Sequence, residues 1–570
     1  MHISQLITEA CAAAFVQGDA SRAAEESLSI PDQAFGDVAT SIAMRIAAEQ
    51  KLSPRDVALQ LLKHIPTDDM VAEVAIAGSG YINFRISPAA MTSLLSDLTS
   101  ASKGETIVPQ LGLGKTVVMD YSHPNIGKPM GVHHLLSTII GDSLKRTMRA
   151  AGFTVIADNF IGDLGTQFGK LIWAVKQWGD YSAIEANPIT ELQKLYVKFH
   201  IEADSDIELD DAGRAEYLKL EQGDAENRAL WRKIVTWSKA EIQPIYDELG
   251  VSFDVMHGES FYEDAMEPIL EDGKSKGVLV ESQGALVCLS DKEDEPPAIL
   301  RKSDGATLYL TRDLARIDYW EKTWHPQIMM VVLDSAQSFA QQQLYSVARK
   351  LDLTQADLVQ VNFGRMRFAD GSMSTRKGNI LLLNDVIKEA KSRALELVKN
   401  KSYNLNESEQ QQAADILAIS SIKYNVLSQN RLSDITFDWS TMLNFEGNSA
   451  PYLAYSLVRL RSLLAKADSG YATAANGTPY DWVDSIEREL VLQLADFNSV
   501  FLRAVNEYKP SHLATYAFTL AQNYNNLYNR LPILSAEGSA RIVRLQISTA
   551  VEAILLVCFE CLGLAAPKKM

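Results

Sequence analysis

Between Lys115 and Asp163 the chain reads KTVVMDYS, then a proline-bearing loop, then GVHHLLSTIIGDSLKRTMRAAG, then FTVIADNFIGD. A short β-branched run, a helical pattern stopped by Gly152 and a second strand-like run form the opening of a parallel sheet. Parallel neighbours need a long crossover, and a helix supplies it. No other stretch narrows the fold as far. It predicts an α/β unit whose ligands bind at the carboxyl ends of the strands, beside helix N-termini whose free N–H groups favour anions.

At 570 residues the chain is too long for one core and divides into three parts. Residues 1–105 read as a small α+β unit. Two amphipathic helices lie in SIAMRIAAEQKLSPRDVALQLLKHI, and a strand-turn-strand signal lies in VAEVAIAGSGYINFRIS around Gly78-Ser79-Gly80. Residues 106–385 hold the parallel sheet, with a charged helical insertion at about 172–250. Sheet-like segments resume in GVLVE, GALVCLS, ATLYLTRDLA and IMMVVLD. Residues 386–570 read as helical throughout.

Composition excludes more than it selects. A net charge of -18 argues against a dedicated nucleic-acid packaging protein but leaves room for a local cationic track. MHISQLITEACAAAF has no basic n-region and no apolar run long enough for a signal peptide. AVEAILLVCFECLGLAA is interrupted by Glu552 and Glu560 and reads as a buried helix rather than a membrane span. Cys558 and Cys561 form a lone CxxC inside that pattern. With no second ligand pair it reads as a core-facing helix turn, so no metal site is expected, and a reducing cytoplasm is the natural setting.

Two loops carry candidate chemistry. In the first, Asp120 ends the strand, Asn125 and Lys128 occupy the loop, and Gly131, His133 and His134 open the helix. Lysine and imidazole N–H groups there would face a polyphosphate, though polar residues are also ordinary at a helix start. The second is GSMSTRKGN, Gly371 to Asn379. Its Met373, Ser374, Thr375, Arg376 and Lys377 offer hydroxyls and cations between two glycines, and a plain basic surface turn would look the same.

The two loops together resemble the ATP-binding signatures of class I aminoacyl-tRNA synthetases, His-Ile-Gly-His and Lys-Met-Ser-Lys-Ser. The wording SHPNIGKPMGVHHLLSTIIGDSL, GDLGTQFGKL, GATLYLTRDLA and MSTRKG resembles the arginyl-tRNA synthetase family. FGDVATSIAMRIAA and GSGYINF resemble its N-terminal tRNA-binding domain. ITFDWSTMLNFEGNSAPYLAYSLVRLRSL and CLGLAAPKKM resemble its helical anticodon-binding domain. The resemblance implies a Rossmann-like catalytic domain between those two and an arginine–tRNA ligase activity. The substrates would be ATP with Mg2+, arginine and tRNA(Arg), with no tightly bound cofactor, no membrane and a cytoplasmic monomer. An RNA-binding or regulatory paralogue that lost its ATP chemistry is the alternative.

By the same resemblance, Lys128, His133, His134, Ser374, Thr375 and Arg376 are catalytic, and Gly131, His134, Met373, Ser374 and Lys377 bind ATP. Glu259, Tyr309 and Asp313 hold the guanidinium, while Asp120, Asn125 and Gln337 hold the α-amino and carboxylate end. Carboxylates suit a planar permanent cation, and Tyr309 and Asp313 fall one helical turn apart if that segment has begun its helix. Tyr81 and Asn83 match a D-loop contact. Tyr455, Arg459 and Arg461 match an anticodon-loop contact. Two departures stand out. Thr375 takes the place of the second signature lysine, for which Lys128 would compensate. Gly131-Val132-His133-His134 replaces His-x-Gly-His, so His133 stands where a glycine normally lets adenine approach. It would point away, stack on the base, or replace the lost histidine.

Overall fold

The computed structural model describes residues 2–15, 27–29, 31, 35–67, 69–101, 107–292, 294–303, 305–368, 382–401, 405–467, 480–482 and 484–570. They divide into two compact units. One contains residues 1–109, 455–502 and 515–558, the other 110–454, 503–514 and 559–570.

The first unit begins with α1 (His2–Phe15), β1 (Leu28–Ser29), β2 (Val38–Thr40), α2 (Ile42–Gln50) and α3 (Pro54–Leu62). It continues with β3 (Val71–Ala77), β4 (Tyr81–Ile86) and α4 (Pro88–Ala101). The strands make an antiparallel sheet in the order β1-β2-β4-β3. Ile7, Ile42, Val57, Leu61, Ile82 and Phe84 form its core, so the apolar stripes of α2 and α3 cover one face. Residues from the C-terminal part of the chain belong to the same unit. Arg488 grips the buried Asp37 with both arms of its guanidinium, and Asp37 also accepts the Ile86 N–H at 2.7 Å.

The second unit is built on β5 (Thr116–Asp120), α5 (His134–Ala150) and β6 (Thr154–Asp158), the opening expected from the sequence. Five helices follow, α6 (Thr166–Trp178), α7 (Tyr181–Ala186), α8 (Pro188–Ala203), α9 (Ile207–Glu221) and α10 (Ala225–Leu249). They fill the stretch from residue 166 to 249, where the sequence reads as helical and charged. Next come a 3-10 turn at Glu259–Tyr262, α11 (Glu263–Ser275), and a small antiparallel sheet of β7 (Leu279–Ser282), β8 (Ala285–Cys288) and β9 (Ala298–Arg301).

ATLYLTRDLA, read as sheet-like from its alternation, instead turns into helix: α12 runs Tyr309–Trp324. Leu308 is still extended and its N–H reaches the Leu300 carbonyl, after which the backbone coils and the Thr311 hydroxyl takes the same carbonyl at 2.6 Å. The chain then adds β10 (Ile328–Asp334), α13 (Ser338–Lys350), β11 (Asp357–Phe363) and β12 (Met366–Phe368). The main sheet is parallel, ordered β11-β10-β5-β6. Chain order reverses beside β5, since α5 leads to β6 on one side and β10 lies on the other. The carboxyl ends of β5 and β10 therefore flank the crevice where such sheets take ligands.

From α14 (Leu383–Lys401) and α15 (Glu407–Leu427) onward the elements among the described residues are helices, apart from β13 (Ile435–Phe437), which pairs in parallel with β12. Then come α16 (Trp439–Met442), α17 (Ala450–Leu464), α18 (Ser485–Asn506), α19 (Ser511–Arg530) and α20 (Gly538–Leu562). Among the described residues α20 is the one helix long and apolar enough to cross a membrane, and 67% of its most apolar window is buried in the protein. Cys558 and Cys561 are fully buried on it.

Candidate active site

Asp120 and Asp158 are register partners at the carboxyl ends of β5 and β6, both without exposed surface. Buried carboxylates must be paired. Asp120 bonds Arg316 of α12 and lies 3.2 Å from His123 Nδ1, while the indole N–H of Trp320 donates to Asp158 at 3.1 Å. His123 follows a tight turn in which Ser122 and His123 both have positive φ, 82 and 48°. Its Nε2 lies 3.0 Å from the Val332 carbonyl on β10, which also accepts from the Ser137 hydroxyl at 2.9 Å. His123 thus ties β5 to β10 across the crevice. Both ring nitrogens face acceptors, which assigns a proton to each. Burial works against that charge, and Asp120 overcomes it, raising the His123 pKa. In return burial lifts Asp120, while His123 and Arg316 more than offset it and hold the carboxyl below its ordinary value.

The same helix supplies the rest of the acidic pocket. Arg316 also bonds Asp313 at 2.9 Å. One turn earlier Arg312 pairs with Glu259 at 3.2 Å, and its guanidinium lies 5.5 Å from the Tyr309 ring. Burial pushes Glu259 up to about 8 and also raises Asp313. Glu259 is aimed by its neighbours. Asp163 accepts both the Ser260 N–H, at 2.9 Å, and the Ser260 hydroxyl, at 2.6 Å. At Gly258 a side chain would stand 2.0 Å from the Asp163 carboxylate, so glycine is required there.

At the opposite edge, α5 opens on the two histidines. His134 is 6% exposed, with Nδ1 3.1 Å from the Gly131 carbonyl. A carbonyl only accepts, which assigns the proton to Nδ1 and leaves Nε2 as an acceptor in the neutral ring. Burial, then His133 and Lys128, drives the His134 pKa down to about 3. His133 lays its ring against His134, with centroids 3.9 Å apart; although the residue keeps exposed surface, the desolvation of its partly covered ring, then Lys128, lowers its pKa too. Burial likewise lowers Lys128.

The structure thus gathers Lys128, Gly131, His133 and His134 at one helix start, and Asp120, Glu259 and Asp313 around two arginines. Tyr309 stands 63% exposed at the rim. Asn125 is exposed beside Gly162, and Gln337 is exposed just past β10. Asp120, matched to the ligand's α-amino end, has no exposed surface and is bonded to Arg316 and His123. Met373, Ser374, Thr375, Arg376 and Lys377 lie outside the described residues. The chain that follows them, at Leu382, pairs with Gly131.

The tRNA candidates lie in the other unit. Tyr81 is 42% exposed, whereas Asn83 on the same strand is 4% exposed beneath the segment around Gly36. Tyr455 is exposed on α17, Arg459 stacks on the Tyr528 ring at 3.6 Å, and Arg461 pairs with Glu552 at 3.2 Å. Sequence reasoning missed His123, Arg312 and Arg316. The i, i+4 spacing of the two arginines beside Asp313 is the signal that marks them.

Comparison with known proteins settles the family. Residues 97–439 match the model for the catalytic domain of class I tRNA synthetases (R), residues 453–570 that for the DALR anticodon binding domain, and residues 1–86 that for the arginyl tRNA synthetase N terminal domain. The arginine–tRNA ligase of Fusobacterium nucleatum is 37% identical over 538 residues, 94% of each chain. The chain belongs to the arginyl-tRNA synthetase family. A second relative in that family, the arginine–tRNA ligase of Clostridium botulinum, is 39% identical over 81% of each chain. The fold matches the arginyl-tRNA synthetase of Plasmodium falciparum with a TM-score of 0.83 at 23% identity, covering 100% of this chain and 98% of that one. It matches that of Thermus thermophilus with a TM-score of 0.81 at 22% identity, covering 100% and 99%. The chain is an aminoacyl-tRNA synthetase by this family, and the class I family uses ATP as a substrate.

Proposed function

We propose that this arginine–tRNA ligase works in two steps in the crevice between β5 and β10. The arginine carboxylate attacks the α-phosphorus of ATP; a C–O–P linkage forms and pyrophosphate leaves. A ribose hydroxyl at the 3′ end of tRNA(Arg) then attacks the arginyl carbonyl, and AMP leaves. Positioning and charge supply most of the rate in such transfers.

Glu259, Asp313 and the face of Tyr309 take the guanidinium, and Asn125 and Gln337 meet the other end of the amino acid. Asp120 acts from behind, by fixing Arg316 and His123. Lys128, His134 and the 373–377 loop meet the phosphates, with Lys128 supplying the charge that Thr375 lacks. His133, resting on His134, takes the space of the missing signature histidine. Magnesium arrives with the ATP phosphates. Tyr81 with Asn83, and Tyr455 with Arg459 and Arg461, serve the D-loop and anticodon loop of tRNA. Residues 1–105, 106–385 and 386–570 carry the D-loop, catalytic and anticodon roles. The protein acts as a cytoplasmic monomer, and its four buried cysteines, none of them in a disulfide, fit a reducing compartment.

The observation that carries this reading is the buried Glu259 and the partly exposed Asp313, each paired with an arginine of α12. The test is arginine-dependent exchange of pyrophosphate into ATP, run with and without cognate tRNA. Exchange with arginine but not lysine supports it; no exchange above background from folded protein, even with tRNA, contradicts it.

A further inference from the structure

Glu259 is 5% exposed, and its N–H is taken by the Ile161 carbonyl at 3.1 Å. The charges that face its carboxyl are Arg312, Asp313 and Arg316 from α12 and Asp163 from the loop after β6. Arg316 is already engaged by Asp120 and Asp313. The direct counter-charge is therefore Arg312, 3.2 Å from Oε2, with both side chains 7% exposed. Arg312 also lies over the Tyr309 ring, and its buried Nε has no partner among the described residues. A resident guanidinium thus stands between two of the three groups that would receive the substrate's guanidinium.

We propose that Arg312 is a positioning residue for arginine recognition: by its buried ion pair it keeps Glu259 aimed and charge-compensated, so that the carboxylate meets a second guanidinium on its other oxygen. This rests on the reading of Glu259 as part of the arginine pocket. The physical reason is that a carboxyl enclosed without a cation holds its proton, and a neutral acid has lost the charge that selects a cation. Burial pushes Glu259 up to about 8; Arg312 pulls it down, Asp313 and Asp163 push it up, and Arg316 pulls it down. Binding a second cation then drives the proton off, so arginine binds more tightly as pH rises toward that value. Without Arg312 the proton is held to higher pH, and the tightening moves with it.

The test measures kcat and KM for arginine in tRNA charging, from about pH 6.5 to about 9. The enzymes compared are wild type, Arg312→Gln, Arg312→Lys, Glu259→Gln and the double Glu259→Gln/Arg312→Gln. Arg312→Gln is expected to raise the arginine KM about tenfold at neutral pH for each unit by which the carboxyl rises. Its kcat at saturating arginine stays near wild type, the fall of KM with pH moves to higher pH, and Arg312→Lys restores both. In the Glu259→Gln background Arg312→Gln adds nothing further, and that double variant leaves neither charge of the buried pair without the other. A lower KM in Arg312→Gln overturns the proposal, because Arg312 would then be a competitor for the site. So does an unmoved pH profile, or a double variant weaker than Glu259→Gln alone. If Glu259→Gln itself leaves the arginine KM unchanged, the pocket reading falls, and the proposal with it.

Discussion

His134 donates from Nδ1 to the Gly131 carbonyl, 3.1 Å away, at the first turn of α5. The bond fixes the ring and leaves Nε2 without its proton in the neutral form. Burial drives the ring pKa down to about 3, so the ring is neutral; in the proposed mechanism phosphate charge lets it take up a proton and donate.

Asparagine places its amide nitrogen where Nδ1 stands and nothing where Nε2 stands. His134→Asn should therefore keep the bond to Gly131 and the fold, yet lower kcat by about 100-fold, the usual cost of one lost donor to a transition state. Steady-state exchange kinetics with a matched melting curve check this. Unchanged kcat would place the chemistry elsewhere.

Arg316 serves Asp120 and Asp313 at once, with 3% of its side chain exposed. Arg316→Met leaves two carboxylates short of a cation, one of them fully enclosed. The expected loss is about 3–5 kcal/mol, read from urea unfolding midpoints with an unchanged slope. A loss below about 1 kcal/mol would mean that the pair adds nothing net to stability.

His123 gives a pH signature. Its folded pKa is raised above the ordinary 6.5, so its contribution to stability is complete below 6.5 and is lost as pH rises through the folded value. Asp120 has the opposite sign: its pKa is lowered from 3.8, so its contribution is complete above 3.8 and is lost as pH falls through the folded value. The melting-temperature gap between wild type and His123→Leu should thus be widest between those limits and close on the alkaline side. A gap constant with pH would show that the ring is held for its shape alone.

What could be read in advance follows from how far apart the partners lie in the chain. The β5-α5-β6 opening is local, written in β-branched runs and a glycine stop, and it stands as read. The start of α12 is hidden by its own sequence, because Ala306-Thr-Leu-Tyr-Leu310 alternates with the period of a strand and no side chain caps the helix. Strand β13 has three residues, and its partner Met366 lies far upstream, so neither length nor pattern marks it. The arginine network is hardest to foresee. Asp120 and Arg316 are 196 residues apart, and nothing in either neighbourhood names the other. A family resemblance matches Asp120 to a ligand contact; its full enclosure, and its bonds to His123 and Arg316, are not legible in the sequence.

In the proposed function, carboxylates on α12 and the Glu259 turn select arginine independently of the ATP site on α5. Asp313→Ala tests it most directly, in pyrophosphate exchange with cognate tRNA present and ATP affinity measured on the same preparation. The account predicts that arginine-dependent exchange is lost while ATP binds within about threefold of wild type, less than one hydrogen bond's worth. Arginine activation at the wild-type KM in that variant would contradict it.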